Sequence, residues 1–295
     1  MSYVRKTYAA DQLRDYSLLF SSSEINKFVS EGNSKLINYC LREYDNRAFT
    51  PNKTYGEYYK YLYRVLLKHY TNEYIYKNEF LNKFLYKKYA GEDCYFFSEL
   101  NLGNVVADLA SFNGESIGFE IKTELDTPSR LTRQMEVYSQ VFNKVYLIIP
   151  SEAVELYEPF FQEGFGIISY SKDFRAFYLI QESKTKKAPS PQILMEILLT
   201  KEYRQIVEEY YGKGILEKST DFTQFSDCST LIADIPPEEL NRLFISTMKY
   251  RRSVPPRFSY GFNELNQALL STRSENSFKE KLQYRLNQNI SYKDS

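Results

Sequence analysis

The sequence predicts a mixed α/β (α+β) fold in which a run of strands lies between helical N-terminal and C-terminal regions. Three observations support this fold class. Apolar residues recur at helical spacing before residue 90, short runs with alternating apolar residues follow between 95 and 123, and helical spacing returns beyond residue 190. Between residues 73 and 150 the predicted order is helix, three strands, helix and strand, which makes an αβββαβ core with a mixed sheet.

The first 72 residues are expected to form a helical N-terminal extension. Leu13, Tyr16 and Leu19 fall on one helical face, and Tyr59 and Leu62 share another. Residues 73–182 would form the α/β core, which starts with a helix over residues 73–89. Beyond a linker rich in Lys, Ser and Pro, residues 190–295 are expected to form a helical C-terminal region.

The core strands are predicted from apolar alternation and from their turns. Asn113-Gly114 is a tight-turn dipeptide that should join two antiparallel strands, and Pro128 suits the first turn of a helix before Leu131 and Met135. A continuous apolar run at 145–149 indicates a fully buried strand. The predicted strands cover residues 95–100, 104–112, 116–123, 145–149, 166–170 and 176–181.

Composition excludes several classes of function. Lys and Arg number 38 and so do Asp and Glu, so the net charge is zero and any nucleic-acid surface must be a local patch. With His69 as the single histidine, a two-histidine zinc site is impossible. Cys40, Cys94 and Cys228 are too widely spaced for a zinc knuckle. No segment resembles a signal peptide or a membrane span, so a cytoplasmic protein is expected.

Acidic residues and one lysine interrupt the apolar strands. Glu120 and Lys122 lie on the same face of one strand, and Asp108 on the preceding strand of the hairpin can share that face. Two carboxylates and the main-chain carbonyl of Ile121 are hard oxygen ligands of the kind that Mg²⁺ or Mn²⁺ binds. Lys122 could orient the attacking water and offset charge that develops on a phosphate. A buried acid is otherwise unfavourable, so the pattern favours a metal-dependent catalytic site.

The Asp and the Glu-x-Lys on successive strands resemble the PD-(D/E)XK nuclease superfamily, although Ala107 stands where the name implies Pro. Gln134 and Tyr138 form a Q-x-x-x-Y pair similar to that of RecB-like members, and the residues after Lys122 resemble an uncharacterised bacterial branch. The resemblance implies a restriction-endonuclease-like core and hydrolysis of phosphodiester bonds in nucleic acid, with DNA favoured over RNA. It further implies that the catalytic residues are Asp108, Glu120 and Lys122. The implied metal ligands are Asp108, Glu120, Ile121, Glu99 and Glu79. The implied nucleic-acid-binding residues are Gln134, Tyr138, Arg130 and Arg133.

Other interpretations stay open at this stage. Glu120 and Lys122 could form a salt bridge on a solvent-facing strand, and Asp126 could pair with Arg130 across one helical turn. The chain could be a catalytically inactive nuclease-fold module that binds nucleic acid, or that binds a protein through its helical flanks. Arg64 and His69 have the spacing R-x-x-x-x-H, which resembles the ribonuclease motif of helical HEPN domains.

Overall fold

The computed structural model describes residues 7–46, 53–90, 92–124, 126, 129, 131–171, 173, 176–184, 188–251, 261–272 and 276–290. The chain is a mixed α/β protein with one six-stranded mixed sheet in the described residues, which confirms the predicted fold class. It divides into two units. Unit 1 combines Met1–Lys87 with Pro256–Ser295, and unit 2 is Lys88–Pro255.

The helices and strands follow one another in an order close to the predicted one. The α-helices of the described residues are α1 (Ala10–Leu18), α2 (Ser22–Glu31), α3 (Lys35–Glu43), α4 (Tyr55–His69), α5 (Glu73–Phe80), α6 (Tyr86–Lys88), α7 (Leu131–Val141), α8 (Glu158–Gln162), α9 (Pro191–Ile197), α10 (Thr200–Tyr211), α11 (Gln224–Ala233), α12 (Pro237–Arg251), α13 (Asn266–Ser271) and α14 (Asn276–Leu286). The strands are β1 (Tyr95–Asn101), β2 (Val106–Asn113), β3 (Glu115–Ile121), β4 (Lys144–Pro150), β5 (Gly166–Tyr170) and β6 (Phe177–Gln181). The structure also has a π-helical turn at Leu81–Leu85 and 3₁₀ turns at Ser151–Tyr157 and Asn263–Leu265.

Unit 1 is a helical bundle made from both ends of the chain. Helix α14 packs against α2 and α4, and α13 packs against α2 and α5. At the start of α4, Thr54 and Glu57 form a capping box, which satisfies two amide groups that the helix leaves without partners. An isolated β-bridge between Thr54 and Asn289 joins this helix start to the segment after α14. The N-terminal helices therefore depend on the C-terminal segment for part of their packing.

The many tyrosines of unit 1 form its core and hold a buried carboxylate. Tyr16, Tyr58 and Tyr59 are fully buried, and Asp45 is only 1% exposed. Tyr16 and Tyr58 donate hydrogen bonds of 2.6 and 3.0 Å to Asp45 Oδ2, and Tyr61 donates one of 3.2 Å to Oδ1. A carboxylate removed from water is tolerated only when such donors replace the lost solvent.

The sheet of unit 2 runs in the order β1-β2-β3-β4-β5-β6. Strands β1, β2 and β3 form an antiparallel meander, β3, β4 and β5 are parallel, and β6 returns antiparallel to β5. Gly114 closes the β2–β3 turn with a φ of 66°, a conformation that glycine adopts without a Cβ clash. Helix α7 provides the crossover that the parallel β3–β4 pair requires.

Helix α7 and the residue after it cover the face of β3 that carries Gly118 and Glu120, and Lys122 follows directly after this strand. A methyl group at Gly118 would overlap the Phe142 ring, so the glycine lets the end of α7 approach the sheet closely. Leu131, Met135 and Tyr138 of α7 belong to a core that includes β-strand residues and the helices α9 to α12; further members are Val145, Leu147, Ile149, Leu194, Ile206, Ile232 and Phe244.

The structure refines the element boundaries. The helix expected over 73–89 is interrupted by the π-helical turn, and the three meander strands differ from their predicted limits by one to two residues. The two units differ from the division into 1–72, 73–182 and 190–295, since helices from both ends of the chain share unit 1. Helical periodicity identifies a buried face and does not identify which helix covers it. No helix in the described part of the chain has the length and apolar content needed to cross a bilayer.

Candidate functional site

The strand register brings three acidic residues into one row across the meander. Ser98 pairs with Leu109 and Leu100 with Ala107, which sets Glu99 and Asp108 at facing positions of β1 and β2. Leu109 pairs with Phe119, so the same register continued by one residue sets Asp108 beside Glu120 of β3. Asp108, which is 9 residues from Glu99 and 12 residues from Glu120 in sequence, thus becomes a cross-strand neighbour of both.

Glu120 and Lys122 form a buried ion pair on the face beneath α7. The Lys122 Nζ lies 2.7 Å from Glu120 Oε1, and the side chains are 11% and 3% exposed respectively. Lys122 also donates a hydrogen bond of 3.1 Å to Gln134 Oε1 on α7. This pair is therefore buried, unlike the solvent-facing salt bridge that the sequence left open. Each charge depends on the other for compensation inside the protein.

Tyr138 of α7 ties the acids of β2 and β3 together. Its hydroxyl donates a hydrogen bond to Glu120 Oε2 and accepts one of 3.1 Å from the main-chain N–H of Asp108. Burial, followed by the negative charges of Glu120 and Asp108, raises the pKa of the Tyr138 hydroxyl well above its usual value. The hydroxyl therefore stays protonated and donates to Glu120. Because the side chain is fully buried, Tyr138 is placed to position Glu120 rather than to touch a nucleic acid.

Main-chain contacts fix the rest of the β3 terminus. Asp108 Oδ2 accepts a hydrogen bond of 2.8 Å from the Ile121 N–H, so the carboxylate of one strand is attached to the backbone of the next. The Lys122 N–H donates to the Ile148 carbonyl at 2.9 Å, and the Tyr170 hydroxyl donates to the Lys122 carbonyl at 3.2 Å. Sequence reasoning missed Tyr170. Its position at the carboxyl end of a parallel strand near Lys122 is the signal that could have found it.

Glu99 has an unusual backbone. It is the one non-glycine residue with a positive φ, 54°, in the described residues, and its side chain is exposed at the edge strand β1. A side chain with a Cβ adopts this left-handed conformation at a cost of about 1–2 kcal/mol. Strain of this kind is often found at functional sites, and here it falls opposite Asp108.

Other predicted site residues are placed differently. Glu79 belongs to unit 1, where it accepts a hydrogen bond of 2.5 Å from the Tyr63 hydroxyl and lies 2.6 Å from Lys83 Nζ. Unit 2 holds Asp108, Glu120 and Lys122. Arg133 is exposed on α7, and Arg130 lies outside the described residues.

Arg64 and His69 both lie on α4 in unit 1. Arg64 Nε donates a hydrogen bond of 3.2 Å to the Lys60 carbonyl of the same helix. The His69 ring lies against Tyr8, with 5.0 Å between the ring centroids. These contacts join each residue to its own unit and give the HEPN interpretation no added support.

The donor atoms around Glu120 suit a hard divalent ion only in part. Within the ranges that the structure describes, no three side chains of His, Cys, Asp or Glu gather closely enough to hold a metal ion. Both Glu120 oxygens and one Asp108 oxygen accept hydrogen bonds from the protein. Mg²⁺ commonly takes only one or two carboxylates and keeps several waters, and Asp108, Glu120 and the Ile121 carbonyl are ligands of that type.

Comparison with known proteins gives a family for most of this chain. The family described as bacteriophage P4 protein cII matches residues 67–268. Protein cII of Enterobacteria phage P4 is 25% identical over 134 residues, which are 44% of this chain and 51% of that protein. The chain thus matches about half the length of this curated relative. No solved structure matches it.

This match corrects the resemblance drawn from the motifs. Residues 67–268 include the six described strands and the Asp, Glu-x-Lys and Q-x-x-x-Y residues that resembled the PD-(D/E)XK superfamily, its RecB-like members and a bacterial branch of it. The family assignment made from those residues was wrong, because a short motif on a β-meander is compatible with more than one family. The chain belongs to the family of bacteriophage P4 protein cII.

Proposed function

We propose that this protein hydrolyses phosphodiester bonds of nucleic acid, with DNA favoured over RNA, and that Asp108, Glu120 and Lys122 are its catalytic residues. The observation that carries the proposal is the buried Lys122–Glu120 ion pair, beside which the meander sets Asp108 and the strained Glu99. Burial of charge is costly, and clusters of buried ionisable groups are characteristic of functional sites. The order helix, three strands, helix, strand around this pair would be the catalytic core.

A divalent cofactor, Mg²⁺ or Mn²⁺, completes the proposal. Asp108, Glu120 and the Ile121 carbonyl would hold the ion, with Glu99 as a further acid on the neighbouring strand. When bound, the ion would supply Lewis-acid stabilisation of the phosphate and a more acidic water. A carboxylate oxygen can bind an ion while it accepts a hydrogen bond, so Lys122 and Tyr138 would orient Glu120 as a ligand. The positive charge of the ion would weaken the attraction between Lys122 and Glu120 and so loosen their contact.

Lys122 and its neighbours would supply the remaining chemistry. Once its contact with Glu120 loosens, the Lys122 ammonium can stabilise negative charge on the phosphate, while Gln134 keeps it oriented. Tyr138 holds Glu120 and the Asp108 main chain in a fixed relation. Arg133, exposed on α7, would contact substrate phosphates, and Arg130 is assigned the same role from sequence alone.

The test is a cleavage assay on the full chain. Single-stranded and duplex DNA and RNA are incubated with Mg²⁺, Mn²⁺ or a chelator, and Asp108→Asn and Lys122→Ala are compared with the original protein. Loss of a charge-stabilising group should lower the rate by about 100-fold or more. The control Lys144→Ala removes a lysine of the same sheet that pairs with Glu115 near the surface, and it should keep full activity. Activity that persists in both site variants refutes the assignment.

A non-catalytic binding module is the second candidate. It is favoured by the engaged oxygens of Glu120 and by the absence of three clustered ligand side chains in the described residues. Such a module would bind labelled nucleic acid, or a protein through its helical flanks, with an affinity that a chelator leaves unchanged. Nucleic acid that is bound but never cut under any metal condition would favour this candidate over the enzyme.

A further inference from the structure

Strand β6 presents an open and apolar edge of the sheet. It is the last strand in the order β1 to β6, and within the ranges that the structure describes it pairs with β5 alone. Tyr178, Leu179 and Ile180 are 56%, 43% and 48% exposed. Consecutive residues of a strand point to opposite faces, so both faces of β6 are accessible together with its edge.

The two edges of the sheet are built differently. The edge strand β1 exposes Glu99 and Asn101, and the positive φ of Glu99 interrupts its regular backbone. A charge and an irregular backbone are the usual means by which proteins keep an edge strand from pairing with another chain. Strand β6 contains no charged residue, proline or glycine. The register of the β5–β6 pair shifts between Ile167 and Ile168, so Ile180 of β6 is skipped in the pairing and forms a bulge near the end of the strand. Phe177, Tyr178 and Leu179 keep regular pairing with β5.

We propose that β6 pairs antiparallel with β6 of a second copy of this chain, which joins two sheets into one of twelve strands. A two-fold axis through Tyr178 would set the two Tyr178 side chains opposite each other and Phe177 of each copy opposite Leu179 of the other. Aromatic pairs and aromatic–aliphatic pairs are favourable cross-strand neighbours. The segment 176–181 is uncharged, so two copies bring no like charges together, and the same edge serves both partners.

The inference is tested through the mass of the full chain in solution. Sedimentation equilibrium should give a mass that rises with concentration from 34.9 kDa toward about twice that value. Tyr178→Lys places two ammonium groups next to each other on the two-fold axis, and their repulsion should raise the dimer dissociation constant by at least tenfold. Tyr178→Glu, which places two carboxylates there, should have the same effect. An equimolar mixture of the two variants should associate again, because opposite charges then meet on the axis.

The matched control is Phe222→Lys, which makes the same kind of change at a side chain that is 99% exposed outside β6. It should dimerise like the original protein. If a Tyr178 charge variant fails to fold, Tyr178→Cys replaces it, and a disulfide-linked dimer should form there but not in Phe222→Cys. A monomer at every concentration, a dimer that tolerates Tyr178→Lys, or a mixture of charge variants that stays monomeric overturns the proposal. Binding of a different protein to β6 of a monomeric chain also overturns the proposal.

Discussion

At the scale of single residues, the Lys122–Glu120 pair shows how the candidate site affects the stability of the fold. Both side chains are removed from water, and the compensation comes from their mutual contact, from Gln134 and from Tyr138. A buried pair of this kind is commonly no more stabilising than apolar residues of the same volume. Removal of one partner is different, because it leaves the other charge buried without compensation.

Lys122→Met tests this dependence. We expect the free energy of unfolding to fall by about 3–5 kcal/mol, because Glu120 loses its counter-charge while it remains buried. Lys144→Met breaks a pair with Glu115 whose side chains are 23% and 42% exposed, and it should cost at most about 1 kcal/mol. Urea denaturation followed by circular dichroism measures both. Equal losses in the two variants would contradict a buried, mutually dependent pair.

At the scale of elements, the contact between β3 and the end of α7 decides how closely the helix covers the acids. Gly118 permits that approach, and the Phe142 ring occupies the space where a side chain would stand. Phe142 is only 2% exposed and lies in the same core as Tyr138. The position of Tyr138 over Glu120 therefore depends on a residue that carries no chemistry itself.

Gly118→Ala tests this packing. The added methyl group should lower the free energy of unfolding by about 1–3 kcal/mol, since the ring has no free space to enter. Phe142→Leu removes ring atoms, so the double variant should be more stable than the sum of the two single losses predicts. Thermal and urea unfolding of the original protein, the two single variants and the double variant gives the double-mutant cycle. Strictly additive losses would show that the two positions do not compete for the same space.

The sequence predicts strands of the meander better than it predicts their surroundings. Alternation and the Asn113-Gly114 turn locate β2 and β3 closely, because both signals are local. Asp108 and Glu120 fall on these strands as expected, and Lys122 comes directly after β3 instead of on it. The hydroxyl of Tyr170 against the Lys122 carbonyl depends on the β4–β5 pairing, and the role of Tyr138 as a buried link depends on how deeply α7 packs. Neither contact is encoded by spacing within one segment.

At the scale of the whole molecule, the sequence of unit 2 is inserted into the sequence of unit 1. Unit 2 is the continuous segment Lys88–Pro255, and unit 1 needs residues from both sides of it. Tyr55 N–H donates to the Gln288 carbonyl at 3.1 Å and Ile290 N–H donates to the Lys53 carbonyl at 2.8 Å, which joins the two parts of unit 1. A division by sequence order cannot reveal this pairing, because its partners are more than 200 residues apart.

Leu282→Ala tests the joint origin of unit 1. Leu282 of α14 is fully buried, so its truncation should cost about 2–5 kcal/mol. Hydrogen exchange should then accelerate in α2 and α4, against which α14 packs, as well as in α14 itself. Leu243→Ala, an equally buried leucine of α12 in unit 2, is the control and should leave α2 and α4 protected. Faster exchange confined to α14 would contradict the prediction.

The β-bridge between Thr54 and Asn289 also bears on the order in which the two units can fold during synthesis. During synthesis all six strands have emerged once residue 181 is clear of the ribosome, and the contiguous unit is complete by residue 255. Domains generally fold as units, starting with those whose residues emerge first. Helices α2, α4 and α5 emerge before unit 2, yet α13 and α14, which pack against them, emerge after it. Part of their apolar surface therefore stays uncovered while unit 2 is synthesised, and exposed apolar surface of this kind is what chaperones bind.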